Sequence, residues 1–361
     1  MIEKLNNIEL ICKKAKEASY KLAVSSNKER NIALKLIANQ ILKSINKIIT
    51  ANRKDYRAAK KNKIPSALLD RLLLNEERIK NMAKDVNNIS KLEDPIGKEL
   101  IKKLRPNGLK ITKVSVPLGV IAVIFESRPN VACDVACLCI KSGNAVILKG
   151  GKEAKHTNEI IIEIIKNTLK KTSLNANIVS SLKNYSRSSV NQLLKMDKYI
   201  DVLVPRGGKE LIKTVRKNSN IPVFSHLDGI CHTYIDKFAN KKMAIDITYN
   251  AKMRRTSICG ATETILCHKD IAKQVLPHLL EKLLNAGCEV RGDNNVASLN
   301  KKIKKASERD WKKEYLDSIV SIKVVNSLNE AIKHINAYSS KHTDAIITNN
   351  AKNAKLFLTE I

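Results

Sequence analysis

The chain is poor in aromatic residues and cysteines and has no long apolar segment, and each shortage excludes a class of protein. Its longest apolar stretch, Val116–Phe125, contains Pro117 and Gly119 and has about half of the roughly 20 residues that span a bilayer, so no transmembrane helix is expected. Eight cysteines among 361 residues are too few for a disulfide framework. The first residues mix acidic with basic side chains and lack the apolar core of an export signal. We therefore predict a cytoplasmic protein with no membrane partner.

Acidic residues are also scarce relative to basic ones. The 66 Lys and Arg face 35 Asp and Glu, which gives a formal net charge of +31. A surface of this sign can bind nucleic-acid phosphates, and such a protein would bind DNA with a steep salt dependence. The lysines are spread along the chain, however, and aromatic residues, which stack on bases, make up only 4% of it. We therefore favour solvated lysine-rich faces and expect no nucleic-acid partner. The 43% hydrophobic content excludes a disordered polycation.

The first hundred residues have the periodicity of helices. Ser26 and Glu29 have the spacing of a capping box, in which each side chain accepts a hydrogen bond from the other residue's backbone amide. Apolar residues then recur every three or four positions and predict one helix with a single buried stripe, formed by Leu34, Ile37, Ile41, Ile45 and Ile48.

From about Leu104 the pattern changes to that of strands. A Pro-Asn-Gly turn and alternating residues predict a hairpin over about 104–118, followed by a buried strand. Strands and helices then alternate, with predicted strands at Ala145–Lys149, Ile178–Leu182, Ile200–Val204, Ile221–Phe224, Thr262–Leu266, Val320–Val325 and Ala345–Thr348. This alternation is typical of doubly wound parallel α/β sheets. We predict two domains: residues 1–225, with N-terminal helices and a nucleotide-binding sheet, and residues 226–361, with a second α/β layer.

The usual nucleotide motifs, G-x-G-x-x-G and the P-loop, are absent. Two basic Gly-Gly turns are the remaining candidates, at Lys149–Lys152 and Arg206–Lys209, and each follows a predicted strand and opens a predicted helix. Glycine lets backbone amides come close to an anion at a helix N-terminus. Each turn alone is also explained as a tight connection. Two of them in one sheet favour a phosphate-bearing ligand.

One cysteine differs from the others in its surroundings. The C-x-x-x-C-x-C spacing of Cys133, Cys137 and Cys139 could suggest a metal site, but no histidine shares the segment, so we expect a buried helix and no metal. Cys259 instead follows two arginines and precedes Gly260 and an alanine. Small neighbours admit a substrate, and positive charge favours the thiolate. Cys259 is therefore a candidate nucleophile, with a structural role as the alternative.

Two further segments carry polar residues where α/β proteins bind ligands. Glu126–Asn130 follows the most apolar strand, and Asn130 could donate a hydrogen bond to an oxyanion or cap the next helix. His226 and Asp228 lie with His232 near the predicted domain junction. Paired histidines of this kind are catalytic in some proteins and structural in others.

The motifs of four segments resemble those of one known family. The segments are VPLGVIAVIFESRPNVACDVACLCIKSGNAVILKGGKEA (Val116–Ala154), LVPRGGKELI, SHLDGICHTYID and NAKMRRTSICGATETIL. Together they resemble the gamma-glutamyl phosphate reductases, also called glutamate-5-semialdehyde dehydrogenases, of the aldehyde dehydrogenase superfamily. The resemblance implies an aldehyde-dehydrogenase-like α/β fold and NADPH-dependent reduction of L-glutamyl 5-phosphate to L-glutamate 5-semialdehyde in proline biosynthesis. It also implies a homo-oligomer, with glutamate 5-kinase as a candidate partner.

The same resemblance assigns roles to residues and to the second domain, which it makes catalytic. Cys259 is the expected nucleophile, which forms a thioester, and Asn130 the expected oxyanion donor. Lys149 is expected at the adenosine ribose and Lys152 at the 2′-phosphate of the cofactor. Further cofactor contacts are expected from Gly150, Gly151, Arg206, Gly207 and Gly208, and substrate contacts from Arg128, Arg255, His226 and Asp228.

Two departures from the family pattern are visible. The family generally has Gln-Arg-Pro-Gly before the cysteine and Asn after it, where this chain has Arg254–Ser257 and Gly260. The family also continues into a last segment that we expect this chain to lack. The alternative function is therefore that of a catalytically inactive remnant, which acts at most as a binding protein.

Overall fold

The computed structural model describes residues 7–361, which group into two compact units. The first unit ends at Ser225 and the second begins at His226. Among these residues, no helix combines the length and the apolar composition that crossing a membrane requires.

The first unit begins with five helices. They are α1 (Asn7–Ala23), α2 (Asn27–Lys43), α3 (Ile45–Lys61), α4 (Ser66–Leu72) and α5 (Glu76–Lys91). The capping box is confirmed, since the Ser26 amide donates to Glu29 and the Glu29 amide donates to the Ser26 hydroxyl. The single helix predicted through Ile48 is wrong, because Ser44, with φ −108° and ψ 12°, leaves the helical conformation between α2 and α3. Ile45, next to this break, is only half-buried.

A hairpin follows the helices. Its strands are β1 (Glu99–Leu104) and β2 (Lys110–Val114), which pair antiparallel and are exposed along their whole length. Gly108, with φ 84°, closes the predicted turn. The predicted range of 104–118 is wrong, because it omits β1. Strands exposed on both faces need no alternation of apolar and polar residues, so β1 has no periodic signal.

The main sheet of the first unit is parallel. Its strands are β3 (Val120–Phe125), β4 (Ala145–Lys149), β5 (Val179–Ser181) and β6 (Val202–Arg206), in the order β5-β4-β3-β6. The helices that follow them are α6 (Asn130–Lys141), α7 (Lys155–Leu169), α8 (Arg187–Leu193) and α9 (Lys209–Asn218). The predicted strand at Ile221–Phe224 is wrong: the segment makes only an isolated bridge, at Val223. Pro222 has no backbone N–H with which to extend a ladder.

The second unit contains a parallel sheet of six strands. They are β7 (Cys231–Ile235), β8 (Thr262–His268), β9 (Glu289–Gly292), β10 (Lys304–Lys305), β11 (Ile319–Val325) and β12 (Asp344–Ile347). Their order is β10-β9-β11-β8-β7-β12. The helices are α10 (Lys241–Met253), α11 (Lys269–Asn285), α12 (Asn294–Ala297), α13 (Leu328–Tyr338) and α14 (Ala351–Glu360). The prediction missed β9 and β10, which are short and rich in charged residues.

A buried carboxylate joins the helical region to the first sheet. Asp55 of α3 is 3% exposed and accepts hydrogen bonds from the amide and hydroxyl of Thr157, at 2.8 and 2.6 Å, and from the amide of His156 at 3.2 Å. These donors lie in the first turn of α7, where helical amides have no partner within the helix. A negative charge is also favourable at a helix N-terminus. Asp55 therefore fixes the start of α7, directly after the turn that follows β4.

We expect Asp55→Ala to lower the free energy of unfolding by roughly 1–3 kcal/mol, because it leaves buried donors of α7 without acceptors. Urea denaturation followed by circular dichroism measures this loss. Asp197→Ala is the matched control, since Asp197 is exposed. Equal losses in the two variants would contradict the role of Asp55.

Candidate active site

Cys259 lies in the loop between α10 and β8 and is half-buried, whereas the other seven cysteines, all within the described residues, are buried. Burial raises the pKa of the Cys231 thiol and of the Cys267 thiol to about 12, so both remain protonated near neutral pH. Cys259 is therefore the only one of the eight cysteines that is not buried.

The backbone of Cys259 is held by the segment that leads into β7. A methyl group on Gly229 would overlap the carbonyl oxygen of Cys259 and lie 2.8 Å from its Cα, so only glycine fits there. The Cys231 thiol donates a hydrogen bond to the same carbonyl at 3.1 Å. The Gly229 amide in turn donates to Glu314 at 3.0 Å. The buried Cys231 thiol therefore supports the loop that carries Cys259.

A buried ion pair connects the two elements that flank the Cys259 loop. Lys252 of α10 lies 2.8 Å from Glu263 of β8, and neither side chain is exposed to solvent. Glu263 also accepts a hydrogen bond from the Leu316 amide at 3.2 Å. Burial raises the pKa of Glu263 to about 7, and Lys252 opposes that rise. Separating the two side chains would leave each charge buried and unpaired, which costs free energy. The pair therefore favours the observed placement of the end of α10 beside the start of β8.

Two histidines lie beside the thiol. His226, His342 and Cys259 each have a metal-ligating atom, and these atoms lie within 4.8 Å of one another. The two rings meet edge to face, with centroids 4.8 Å apart. Each of the three residues precedes a strand: His226 precedes β7, His342 precedes β12 and Cys259 precedes β8. These three strands are neighbours, in the order β8-β7-β12. The amino edge of this sheet therefore brings the three residues together.

Sequence reasoning found His226 but missed His342. No local spacing could have indicated His342, because its place depends on β12 pairing with β7. The other predicted histidine, His232, is structural: its ring lies 3.1 Å from Asp344, and both are buried. Of the remaining predicted residues of this unit, Arg255 is exposed and Asp228 is half-buried.

In the first unit, Asn130 is the first residue of α6. Its amide donates a hydrogen bond to Asp134 at 2.9 Å, and burial raises the pKa of that carboxyl group to about 6. The alternative that Asn130 caps α6 is wrong, because Pro129 occupies the cap position and no side chain caps the helix. Arg128, two residues earlier, is half-buried.

The turn after β4, residues 149–152, contains two glycines between two lysines. Lys149 is 4% exposed, and its ammonium group lies 5.2 Å from the centre of the Tyr185 ring. Burial lowers the pKa of Lys149. A methyl group on Gly150 would overlap the side-chain amide of Asn158, so a larger residue here would force that buried side chain to move. Gly151 is half-buried, and Lys152 is exposed.

Asn158 is a residue that sequence reasoning missed. It is 2% exposed, and neither its amide nitrogen nor its amide oxygen has a hydrogen-bond partner among the described residues. A buried amide without partners costs free energy. A polar ligand group at the Gly150 turn would provide those partners, so the turn fits a nucleotide cofactor.

The second Gly-Gly turn already holds an anion. The Gly208 amide donates to the Glu126 carboxylate at 2.9 Å, and a methyl group on Gly207 would lie 2.7 Å from the carboxyl carbon of Glu126. The backbone amide of Glu126 donates to the backbone carbonyl of Arg206 at 3.2 Å. A phosphate at this turn would have to displace Glu126. A carboxylate also lies near the Lys149 turn, since a methyl group on Gly151 would overlap Glu153 Oε2.

Comparison with known proteins defines the fold. The family model described as "Aldehyde dehydrogenase family" matches residues 3–306. An acetylating aldehyde dehydrogenase from Geobacillus thermoglucosidasius is 17% identical, with a TM-score of 0.68 over 97% of this chain and 83% of that chain. At this identity the likeness concerns the fold alone. The fold is that of the aldehyde dehydrogenases, as the sequence predicts.

Closer relatives define the family. A gamma-glutamyl phosphate reductase of Clostridium botulinum is 44% identical over 357 residues, which are 99% of this chain and 86% of the relative. The crystal structure of a gamma-glutamyl phosphate reductase from Thermotoga maritima is 38% identical and has a TM-score of 0.92 over 99% of this chain and 86% of that chain. The chain belongs to the aldehyde dehydrogenase family and, within it, to the gamma-glutamyl phosphate reductases. The resemblance that the motifs indicate is thus confirmed.

We expect Gly229→Ala to reduce kcat about 100-fold, because a new methyl group would displace the Cys259 backbone and a shift of about 1 Å at a reacting group can cost that much. The measurement is steady-state turnover, together with a thermal unfolding curve that shows the variant to be folded. Gly260→Ala is the comparison variant: among the described residues a methyl group there meets no atom within 4 Å, so it can narrow the approach of a substrate but cannot displace the Cys259 backbone. An equal loss of kcat in both variants would show that crowding of Cys259 is not the cause.

Proposed function

We propose that the protein catalyses the NADPH-dependent reduction of L-glutamyl 5-phosphate to L-glutamate 5-semialdehyde, with release of phosphate, in proline biosynthesis from glutamate. The observation that carries the proposal is Cys259, the one cysteine that is not buried, whose backbone contacts Gly229 and Cys231. The names of relatives such as the Clostridium botulinum reductase, 44% identical over nearly the whole chain, support the choice of substrate.

The proposed reaction has two stages at Cys259. Its thiolate attacks the acyl carbon of the substrate, the C–O bond to phosphate breaks, and phosphate leaves with the electron pair to give a thioester. The bound nicotinamide nucleotide would supply the hydride for the reductive stage. The C–S bond of the reduced adduct then breaks, which releases the aldehyde and restores the Cys259 thiolate. No water is needed, so the protein requires no general base that would activate one.

Substrate recognition in the second unit is assigned to residues around the thiol. Arg255 would attract the anionic groups of the substrate, and Asp228 would attract its ammonium group. His226 lies within the cluster around Cys259 and would contact the reacting end. For the first unit, Arg128 as a substrate residue and Asn130 as the oxyanion donor remain predictions, and Asp134 would orient Asn130.

The cofactor is assigned to the turn after β4. Lys149 would contact the ribose, and the amides of Gly150 and Gly151 would approach the phosphates. Lys152, which is exposed, would pair with the 2′-phosphate that distinguishes NADPH from NADH. Asn158 would complete its hydrogen bonds there. Arg206, Gly207 and Gly208 would join this site only once Glu126 moves away. The homo-oligomer and the glutamate 5-kinase partner remain predictions.

The reverse reaction tests the function. We expect the purified chain to reduce NADP⁺ with glutamate 5-semialdehyde only when phosphate is present, because phosphate must cleave the thioester. Cys259→Ala should abolish this turnover, whereas Cys139→Ala, which alters a buried cysteine of α6, should retain it. The measurement is nicotinamide absorbance over time, with and without phosphate.

Two results would count against the proposal. Turnover that persists in Cys259→Ala would exclude the cysteine mechanism. A chain that unfolds cooperatively but shows no turnover would instead favour the inactive remnant.

We expect Lys149→Met to raise the KM for NADPH by about 10- to 100-fold with little change in kcat, because a hydrogen bond to a charged group contributes roughly 1.5–3 kcal/mol. Lys155→Met is the matched control, since Lys155 also lies over the Tyr185 ring, at 5.8 Å, but is exposed. Initial rates at varied NADPH measure both constants. Equal effects of the two substitutions would assign the change to Tyr185 rather than to a cofactor contact by Lys149.

A further inference from the structure

The group formed by His226, Cys259 and His342 has a donor set that the proposed reaction does not explain. One sulfur and two imidazole nitrogens lie within 4.8 Å of one another. From the sequence we expected no metal site, because the C-x-x-x-C-x-C segment, the one candidate that its spacing offered, has no histidine nearby. The cluster arises from three separate loops, so no sequence spacing indicates it.

We propose that His226, Cys259 and His342 form a binding site for a thiophilic divalent cation such as Zn²⁺, and that binding of the ion inhibits the enzyme. Thiolate and imidazole are ligands that zinc prefers, whereas Mg²⁺ and Ca²⁺ prefer oxygen. Zinc bonds of about 2.0–2.1 Å to nitrogen and about 2.3 Å to sulfur place tetrahedral ligand atoms roughly 3.3–3.6 Å apart. Side-chain rotations that bring the three atoms about 1 Å closer would therefore form the site.

The positions of the three side chains suit a reversible site. His226 is exposed, and Cys259 and His342 are half-buried, so an ion can enter from solvent. The His342 ring is already oriented, since its Nδ1 lies 2.9 Å from the Thr343 hydroxyl and 3.7 Å from the Cys231 sulfur. Three protein ligands leave the fourth zinc position to water, which is the arrangement of an open site rather than a closed structural one.

Binding would block the nucleophile directly. The Cys259 thiol loses its proton to solvent, and a bond forms between its sulfur and the metal. The sulfur electron pair is then no longer available to attack an acyl phosphate. A chelator that removes the ion lets the thiol take up a proton again. Inhibition rests on the proposed function of Cys259, whereas metal binding does not.

The test uses the metal-free full chain in a non-chelating reductant and titrates it with Co²⁺, which reports bound thiolate by a charge-transfer absorption band. We expect the band to reach its full intensity at one Co²⁺ per chain. One equivalent of Zn²⁺ should abolish the band by displacing Co²⁺, whereas Mg²⁺ should not, and Cys259→Ser should show no band. His342→Asn should weaken Zn²⁺ binding at least about tenfold, because loss of even an outer partner of a metal ligand costs about 10- to 100-fold. His278→Asn is the matched control, since His278 is an exposed residue of α11.

The outcomes separate this proposal from the proposed function. A missing band in the native chain, a band that persists in Cys259→Ser, or equal Zn²⁺ affinity in His342→Asn and His278→Asn would each overturn the site. Should His342→Asn fail to fold by circular dichroism, His226→Asn gives the same test from a different loop. A chain that binds Zn²⁺ but has no reductase turnover would support the site and contradict the function. In an active chain, Zn²⁺ should abolish turnover and a chelator should restore it; turnover with Zn²⁺ bound would refute inhibition.

Discussion

Parallel strand pairing is the constraint on which both units of this protein depend. In each main sheet every recorded pairing is parallel, so the loops that follow the strands meet at one edge and the loops that precede them meet at the other. In the first unit the strand order is β5-β4-β3-β6, so the chain adds β4 and β5 on one side of β3 and then β6 on the other. In α/β sheets a ligand crevice forms at such a point, here between β3 and β6. The Lys149 turn and the contact of Glu126 with Gly208 both lie at that carboxyl edge.

The second unit uses the opposite edge of its sheet. Cys259, His226 and His342 precede three adjacent strands, so the candidate nucleophile lies at the amino edge. The buried Lys252–Glu263 pair and the close fit of Gly229 hold the backbone there in place, while Cys259 itself is half-buried. A supported backbone and a cysteine that is not buried suit a nucleophile. The two imidazoles beside Cys259 would, under the proposal above, let the same thiol bind a soft metal ion.

Local patterns predicted most elements and failed where a local signal was weak or ambiguous. The capping box and the strand at Ala145–Lys149 were found from spacing and apolar content alone. The continuous stripe from Leu34 to Ile48 concealed a break at Ser44, because two consecutive helices can keep one buried face. The fully exposed β1 had no periodicity to detect. Short charged strands such as β10 form only because a neighbouring strand is present.

The sequence by itself determined the α/β class, the family and the identity of Cys259 as the distinctive thiol, because helix caps, strand periodicity and family motifs are written in neighbouring residues. Only the tertiary structure decided which distant residues surround that thiol. His342 reaches Cys259 because β12 pairs with β7, which pairs with β8. Asn158 lies beside Gly150, with no side-chain partner among residues 7–361, because α7 packs behind the turn after β4. Strand order and helix packing follow from the burial of many residues at once, which no local spacing encodes.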